Sequence, residues 1–327
     1  MVFGLIYRRQ DVSIRHVFFW CFCVIIEGVI LGFEMHTPLG FCTPLKGKRL
    51  DCMIKLIATD MDGTFLNPQG RYDKERFQQL LDQLTEKNIP FVVASGNRLE
   101  RLTTIFSDIS GNIDYVAENG ALVIDKGRVL EQKALSEHLV DAVIDFFADK
   151  LRTYRVILSG IKASYVLEGT IFESDTYSIS QDELHQFFST LVFLEDFAKR
   201  PKDQIVKITM MIDLDEIDEV TLRFNQEFHG NLRAVSSGFG AVDIIQTGIH
   251  KAWGLQVLMT KYGIKSEEIA VFGDGGNDIE MLTLAKYSFA VANASQEVKN
   301  AAHYIIPSNA ENGVLTAIEK IITGEIG

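Results

Sequence analysis

From residue 54 onward, short unbroken apolar runs alternate with segments whose apolar residues recur at helical spacing. Residues 54–59 form the first run and end at carboxylates, the pattern of a strand buried within a parallel sheet. Residues 72–87 carry Phe77, Leu80, Leu81 and Leu84 at the i, i+3, i+4, i+7 spacing of an amphipathic helix. Residues 89–94 (IPFVVA) predict a second buried strand, 99–106 a helix and 115–117 a short strand. The alternation resumes at 269–272, 287–291 and 304–306, with helical text between the runs. Repeated strand–helix units of this kind predict an α/β fold with a Rossmann-like, doubly wound parallel sheet.

Residues 134–236 follow a different pattern. Leu139, Val143, Ile144 and Phe147 predict one helix, and Leu214, Ile217, Phe224 and Phe228 another. Val206, Ile208 and Met210 alternate with polar neighbours, as in a half-exposed antiparallel strand. This stretch reads as an α+β domain inserted between core segments 53–133 and 237–327.

Residues 1–52 stand apart as an N-terminal extension. They hold all four cysteines (Cys21, Cys23, Cys42, Cys52) and six Lys/Arg against four Asp/Glu, a net of +2. The remaining 275 residues hold 26 Lys/Arg against 40 Asp/Glu, a net of −14. A cysteine-free body of that size reads as a reduced, cytoplasmic protein. Residues 17–33 are nearly all apolar and follow Arg8, Arg9 and Arg15. A secretory signal lacks the small-residue cleavage site it needs. A membrane anchor with the body in the cytoplasm has the basic flank it needs, but the run is short and contains Glu27. A third reading starts translation at Met53, directly ahead of the first strand, and a fourth makes the extension a disordered tail. The whole chain carries −12, which argues against a nucleic-acid partner. Its 47% hydrophobic and 23% charged residues are ordinary for a globular protein of two domains.

The candidate chemistry lies where strands end. The first strand runs into Asp60-Met61-Asp62-Gly63-Thr64. Aspartates at i and i+2 face the same way, at the end of a parallel sheet where α/β folds place ligands. The strand at 269–272 runs into Gly273-Asp274-Gly275-Gly276-Asn277-Asp278. Acids here would repel phosphate unless a cation intervened, and carboxylates from two strands suit Mg²⁺. Ser95, Gly96 and Asn97 end the second strand, where a hydroxyl and backbone N–H groups suit an anion. Lys251 opens an apolar-periodic helix, where ammonium and helix N-terminus act together. His250, Trp253 and Phe224 read as structural, and Asn293-Ala294-Ser295 as a chance glycosylation motif.

These four motifs in this order resemble the haloacid dehalogenase superfamily, and the long insertion resembles the α/β (C2-type) cap of its Cof-like, type IIB branch. TDMDGTFLN, FVVASGN, VAENGALV, SGFG and GDGGND resemble bacterial sugar phosphatases, over roughly residues 53–325. The resemblance implies Asp60 as nucleophile and Asp62 as general acid, then base. It implies Mg²⁺ on the Asp60 carboxylate, the Asp62 carbonyl and Asp274, with Asp278 and Asn277 orienting that shell. Ser95, Gly96, Lys251 and Asn277 would hold the phosphoryl group. Relatives often carry Thr-Gly-Arg where this chain has Ser95-Gly96-Asn97, with Arg98 one place later. The loop Glu118-Asn119-Gly120 is expected to approach the site. The implied function is a Mg²⁺-dependent phosphatase of small sugar phosphates. Pyridoxal phosphate and flavin mononucleotide are alternative substrates, phosphotransfer to a second sugar an alternative outcome, and a phospho-aspartate signalling module a rival from another class. No oligomeric state follows from the sequence.

Overall fold

The computed structural model describes residues 21–26, 29–35, 42–44, 54–172, 189–238 and 240–326. Residues 1–53 and 54–327 form separate compact units. In the first, β1 (Cys21–Ile26), β2 (Val29–Met35) and β3 (Cys42–Pro44) pair antiparallel in that order. The apolar run at 17–33 is therefore strand in its described part, whereas residues 17–20 and Met53 lie outside the described residues. Among the described residues, no helix is long and apolar enough to cross a membrane.

The second unit is built on two sheets. The larger comprises β4 (Leu56–Thr59), β5 (Phe91–Ala94), β6 (Ile113–Ala117), β7 (Leu122–Asp125), β8 (Arg128–Gln132), β15 (Ile269–Gly273), β16 (Tyr287–Val291) and β17 (Tyr304–Ile306), in the order β17-β16-β15-β4-β5-β6-β7-β8. All pairings from β17 to β6 are parallel, and β7 and β8 close that edge antiparallel. The antiparallel edge is an addition to the expected parallel sheet. β4, β5 and β15 are buried at every position, as their unbroken apolar text predicts. From β4 the chain moves one way to β5 and β6, and it returns on the other side at β15. The order thus reverses between β4 and β15, which is where doubly wound sheets open a ligand crevice. The helix Lys74–Glu86 buries Phe77, Leu80, Leu81 and Leu84 in this core. It also packs beside the helix Gly313–Thr323, where Arg76 grips Glu319 through Nε and Nη2, each at 2.8 Å.

The smaller sheet contains β9 (Ile157–Gly160), β10 (Ser164–Leu167), β11 (Leu191–Leu194), β12 (Ile205–Met211), β13 (Leu232–Gly238) and β14 (Ala241–Gln246), in the order β11-β10-β9-β12-β14-β13. Its last strand lies beyond residue 236, where the sequence pattern had returned the chain to the core. The helices Glu137–Phe146 and Ile217–Glu227 cover one face through Val140, Val143 and Phe224, against Ile208, Met210 and Ile244. Phe224 stacks between Phe147 and Phe228, with ring centroids 5.9 and 4.4 Å away.

The other face of β12 corrects an expectation. Alternation there suggested a half-exposed strand, yet Lys207 is only 6% exposed. Residues 207, 209 and 243 share this face, with Thr209 directly opposite Asp243. The face is polar because it meets the loops of the larger sheet. Lys207 Nζ donates to the Gly96 carbonyl at 2.5 Å and lies 3.3 Å from carboxylates of both Glu118 and Asp243. Polarity in a strand predicts solvent only where no second layer supplies partners.

Candidate active site

The turn after β4 is tight. Thr64, Phe65 and Leu66 all donate their backbone N–H to the Met61 carbonyl. Gly63 sits at φ +82°, and a Cβ there would lie 2.4 Å from Asp274 Oδ2. Glycine therefore serves both the turn and the approach of the second acidic loop. Asp60 donates its N–H to the Phe272 carbonyl of β15, locking the two strand ends together.

Lys251 Nζ lies at the centre of the site. It reaches Asp60 Oδ1 at 2.6 Å and Asp278 Oδ1 at 2.7 Å, with all three residues buried. Asp274 joins them: oxygens of Asp60, Asp274 and Asp278 lie within 4.8 Å of one another. Burial, together with Asp278 and Asp274, pushes the Asp60 carboxyl well above its ordinary range against the pull of Lys251. Burial and Asp278 raise Asp274 to about 6. Burial opposes the charge on Lys251, but Asp278 and Asp60 outweigh it and hold the ammonium above its ordinary value. Asp278 also accepts backbone N–H groups of Asp274 and Gly275 on Oδ2, each at 2.9 Å. Its two oxygens thus shape the loop and hold the lysine. Thr64 Oγ1 donates to Asp274 Oδ1 at 2.6 Å. Three crowded hard-oxygen donors beside a single lysine suit a small divalent cation, so the donor set fits Mg²⁺.

The Asp62 carboxylate has a different set of hydrogen-bond partners. Arg101 Nη1 and Nη2 each donate to its carboxylate at 2.9 Å, and Asn97 Nδ2 donates to Oδ2 at 2.5 Å. Burial works against ionisation here, but the Arg101 guanidinium and these bonds hold the carboxyl below its ordinary range. Arg98, the arginine nearest the familiar position, instead donates to the Gly160 carbonyl and Ser164 Oγ of the smaller sheet, both at 2.9 Å. Sequence reasoning missed Arg101, although its place in the first turn of the helix predicted at 99–106, just after the Ser95-Gly96-Asn97 loop, was a usable signal.

Ser95 is buried at the end of β5, and its Oγ accepts from the Asn97 N–H at 3.1 Å. It does not cap the helix Leu99–Ile105, whose N-cap is Arg98. Asn277 Nδ2 donates to Asn119 Oδ1 at 2.9 Å, and Asn119 Nδ2 donates to Asp243 Oδ2 at 2.6 Å. The loop at 118–120 therefore reaches the site, as expected. Glu118 and Asn119 occupy the left-handed region at φ +50° and +54°, a strain that neighbours on every side sustain. Gly120 follows at φ +103°, where a Cβ would come within 2.3 Å of the His250 carbonyl. His250 caps the Lys251 helix by accepting the Trp253 N–H on Nδ1, a structural role. Asn293 donates to the Gly63 carbonyl at 2.7 Å, bracing the acidic turn, a contact with no signal in the sequence.

A family model for haloacid dehalogenase-like hydrolases matches residues 57–318. The chain belongs to this family. It shares 36% identity over 272 residues with the 5-amino-6-(5-phospho-D-ribitylamino)uracil phosphatase YbjI of Escherichia coli K12, covering 83% of this chain and 97% of that protein. The phosphatase of the same name from Bacillus subtilis 168, YwtE, is 24% identical over 291 residues, covering 83% and 99%. The crystal structure of SMU.1108c from Streptococcus mutans UA159 superposes with a TM-score of 0.75 at 38% identity, covering 83% of this chain and 99% of that one. Family, fold and relatives agree on a Cof-like phosphoric monoester hydrolase.

Proposed function

We propose that this hydrolase is Mg²⁺-dependent and releases phosphate from small sugar and sugar-alcohol phosphates through an aspartyl-phosphate. The observation that carries the reading is the junction of Asp60, Lys251, Asp274 and Asp278 where the strand order reverses. Asp60 attacks phosphorus; the Asp60–phosphorus bond forms as the bond to the departing alcohol breaks. Asp62 gives the alcohol its proton and later takes one from the water that hydrolyses the acyl phosphate. Lys251, Ser95, the Gly96 N–H and Asn277 hold the phosphoryl oxygens, because phosphoryl transfer depends mainly on positioning and charge. Asp60, the Asp62 carbonyl and Asp274 would hold Mg²⁺, with Asp278 behind them, and the ion would neutralise charge on the phosphoryl group. An acid at position 62 and a phosphatase 36% identical both favour hydrolysis over a signalling role. The cysteine-free body supports a cytoplasmic setting.

The two uracil-compound phosphatases sharpen the substrate question. Their named substrate is a primary phosphate on an open ribityl chain, and flavin mononucleotide carries the same 5-phosphoribityl group. The test is phosphate release from hexose phosphates, 5-amino-6-(5-phospho-D-ribitylamino)uracil, flavin mononucleotide and pyridoxal phosphate, with Mg²⁺ and with EDTA. Turnover of one or more that requires Mg²⁺ is expected. Folded protein inert on every member would overturn the reading.

Metal binding is open to a separate check. A ligand that binds only the native state stabilises it by about 2.7 kcal/mol at a hundred times its Kd. Mg²⁺ is expected to raise the thermal unfolding midpoint, EDTA to reverse the rise, and Asp274→Asn to blunt it. An unchanged midpoint at saturating Mg²⁺ would count against a site on these carboxylates.

A further inference from the structure

We propose that Arg101 is the positioning residue for Asp62: its guanidinium fork, with Asn97, aims the Asp62 carboxyl at the departing alcohol. The inference rests on the role given to Asp62 above. Its own basis is geometric. Both carboxylate oxygens of Asp62 accept from Arg101 at 2.9 Å, and Oδ2 also accepts from Asn97 at 2.5 Å. Two parallel N–H···O bonds fix the plane of a carboxylate, which a single lysine contact does not.

The exposure of the pair decides between stability and function. The side chains of Asp62 and Arg101 are 35% and 37% exposed, so the pair lies at a solvent-reached edge of the site. Ion pairs this exposed contribute about 0–1 kcal/mol to stability, with bidentate geometry such as this at the upper end. Little of the fold depends on this one. Its charge favours the ionised Asp62, so what the fork offers the proton-transfer step is the orientation of the group that must meet the alcohol oxygen.

The supporting elements are tied down by hydrogen bonds. Arg101 lies in the helix Leu99–Ile105 directly after the β5 loop. Asn97 is held on both sides: its N–H and Nδ2 donate to Ser95 Oγ, and its carbonyl accepts the Glu118 N–H at 3.0 Å. The next residue, Arg98, grips the smaller sheet at Gly160 and Ser164. The segment thus divides its arginines, one fastening the second layer and one directing Asp62. Asn97 links Asp62 to the Ser95 hydroxyl.

The step at issue is cleavage of the bond from phosphorus to the alcohol oxygen. An alkoxide needs the proton from Asp62 as it leaves, whereas p-nitrophenolate leaves without one. The constant kcat/KM reports only events up to release of the alcohol, so hydrolysis of the acyl phosphate does not enter it. The test measures kcat/KM for the fastest alkyl phosphate of the panel and for p-nitrophenyl phosphate, in wild type, Asp62→Asn, Arg101→Ala and Arg101→Lys. For Arg101→Ala, a fall of about 10- to 100-fold on the alkyl ester and less than about 3-fold on the nitrophenyl ester is expected, part of the 10²–10⁴ that acid catalysis supplies. Arg101→Lys, which keeps the charge and loses the fork, is expected to fall between. It carries the same test should the alanine variant fold poorly. Equal losses on both esters, or none on the alkyl ester, would overturn the positioning role while Asp62→Asn still discriminates. Failure of Asp62→Asn to discriminate would instead overturn the role of Asp62 itself.

Discussion

Asp60→Asn is expected to release phosphate at no more than about 10⁻⁴ of the wild-type rate, on every substrate the enzyme accepts. At 1.36 kcal/mol per decade, that loss is about 5 kcal/mol of barrier. The amide keeps the size of the side chain and loses the nucleophilic oxygen. It leaves the fold standing, because Lys251 retains Asp278 at 2.7 Å. Burial and two neighbouring carboxylates already disfavour the charge on Asp60. Removing that charge therefore relieves repulsion while giving up one lysine contact. Phosphate release under saturating substrate and Mg²⁺, beside a thermal unfolding curve, checks both halves. Retention of more than about a hundredth of the activity would mean that another group attacks phosphorus.

The parts of this site that were legible in the sequence are those that chain direction dictates. Asp60, Ser95 and Asp274 follow apolar runs, and a buried parallel strand delivers whatever follows it to one edge of the sheet. The larger sheet was readable for the same reason. What sequence pattern missed depends on tertiary contact. Lys207 looked like the polar side of a half-exposed strand because nothing local announces that Gly96, Glu118 and Asp243 await it across the layers. Arg101 has no local signal of its partner, which lies 39 positions earlier. The boundary at 236/237 leaves residues 241–246 with the core, because nothing local says which of two sheets β14 joins. The sequence places Arg98 next to Asn97 but does not say where the charge that Asn97 lacks is supplied. Helical geometry brings Arg101 to the Asp62 carboxylate, while Arg98 turns to the smaller sheet.

Lys251→Met is expected to damage activity and stability together, unlike the change at Asp60. The substitution preserves the apolar stem and leaves Asp60 and Asp278 buried without their shared cation. Removing one partner of a buried ion pair costs about 3–5 kcal/mol, because the charge left behind is neither solvated nor paired. For a unit of this size, the unfolding midpoint in EDTA should fall on the order of 10 °C. Turnover should fall on the order of 10³-fold, the scale set by losing one charge-stabilising donor in a closed site. Asp278 is partly protected, since two backbone N–H groups still bond its Oδ2. Asp60 has no such second anchor on its carboxylate among the described hydrogen bonds, so most of the penalty falls there. The double variant Asp60→Asn/Lys251→Met should therefore be more stable than Lys251→Met alone, with a coupling of about 1–3 kcal/mol for two groups in direct contact. Asp60→Asn on the wild-type background should change stability far less. Additive effects across this cycle, measured by denaturant unfolding in EDTA, would mean that the lysine and the nucleophile are not paired in the folded protein. The metal-free site would then hold Asp60 by the N–H bond to Phe272 and by packing alone.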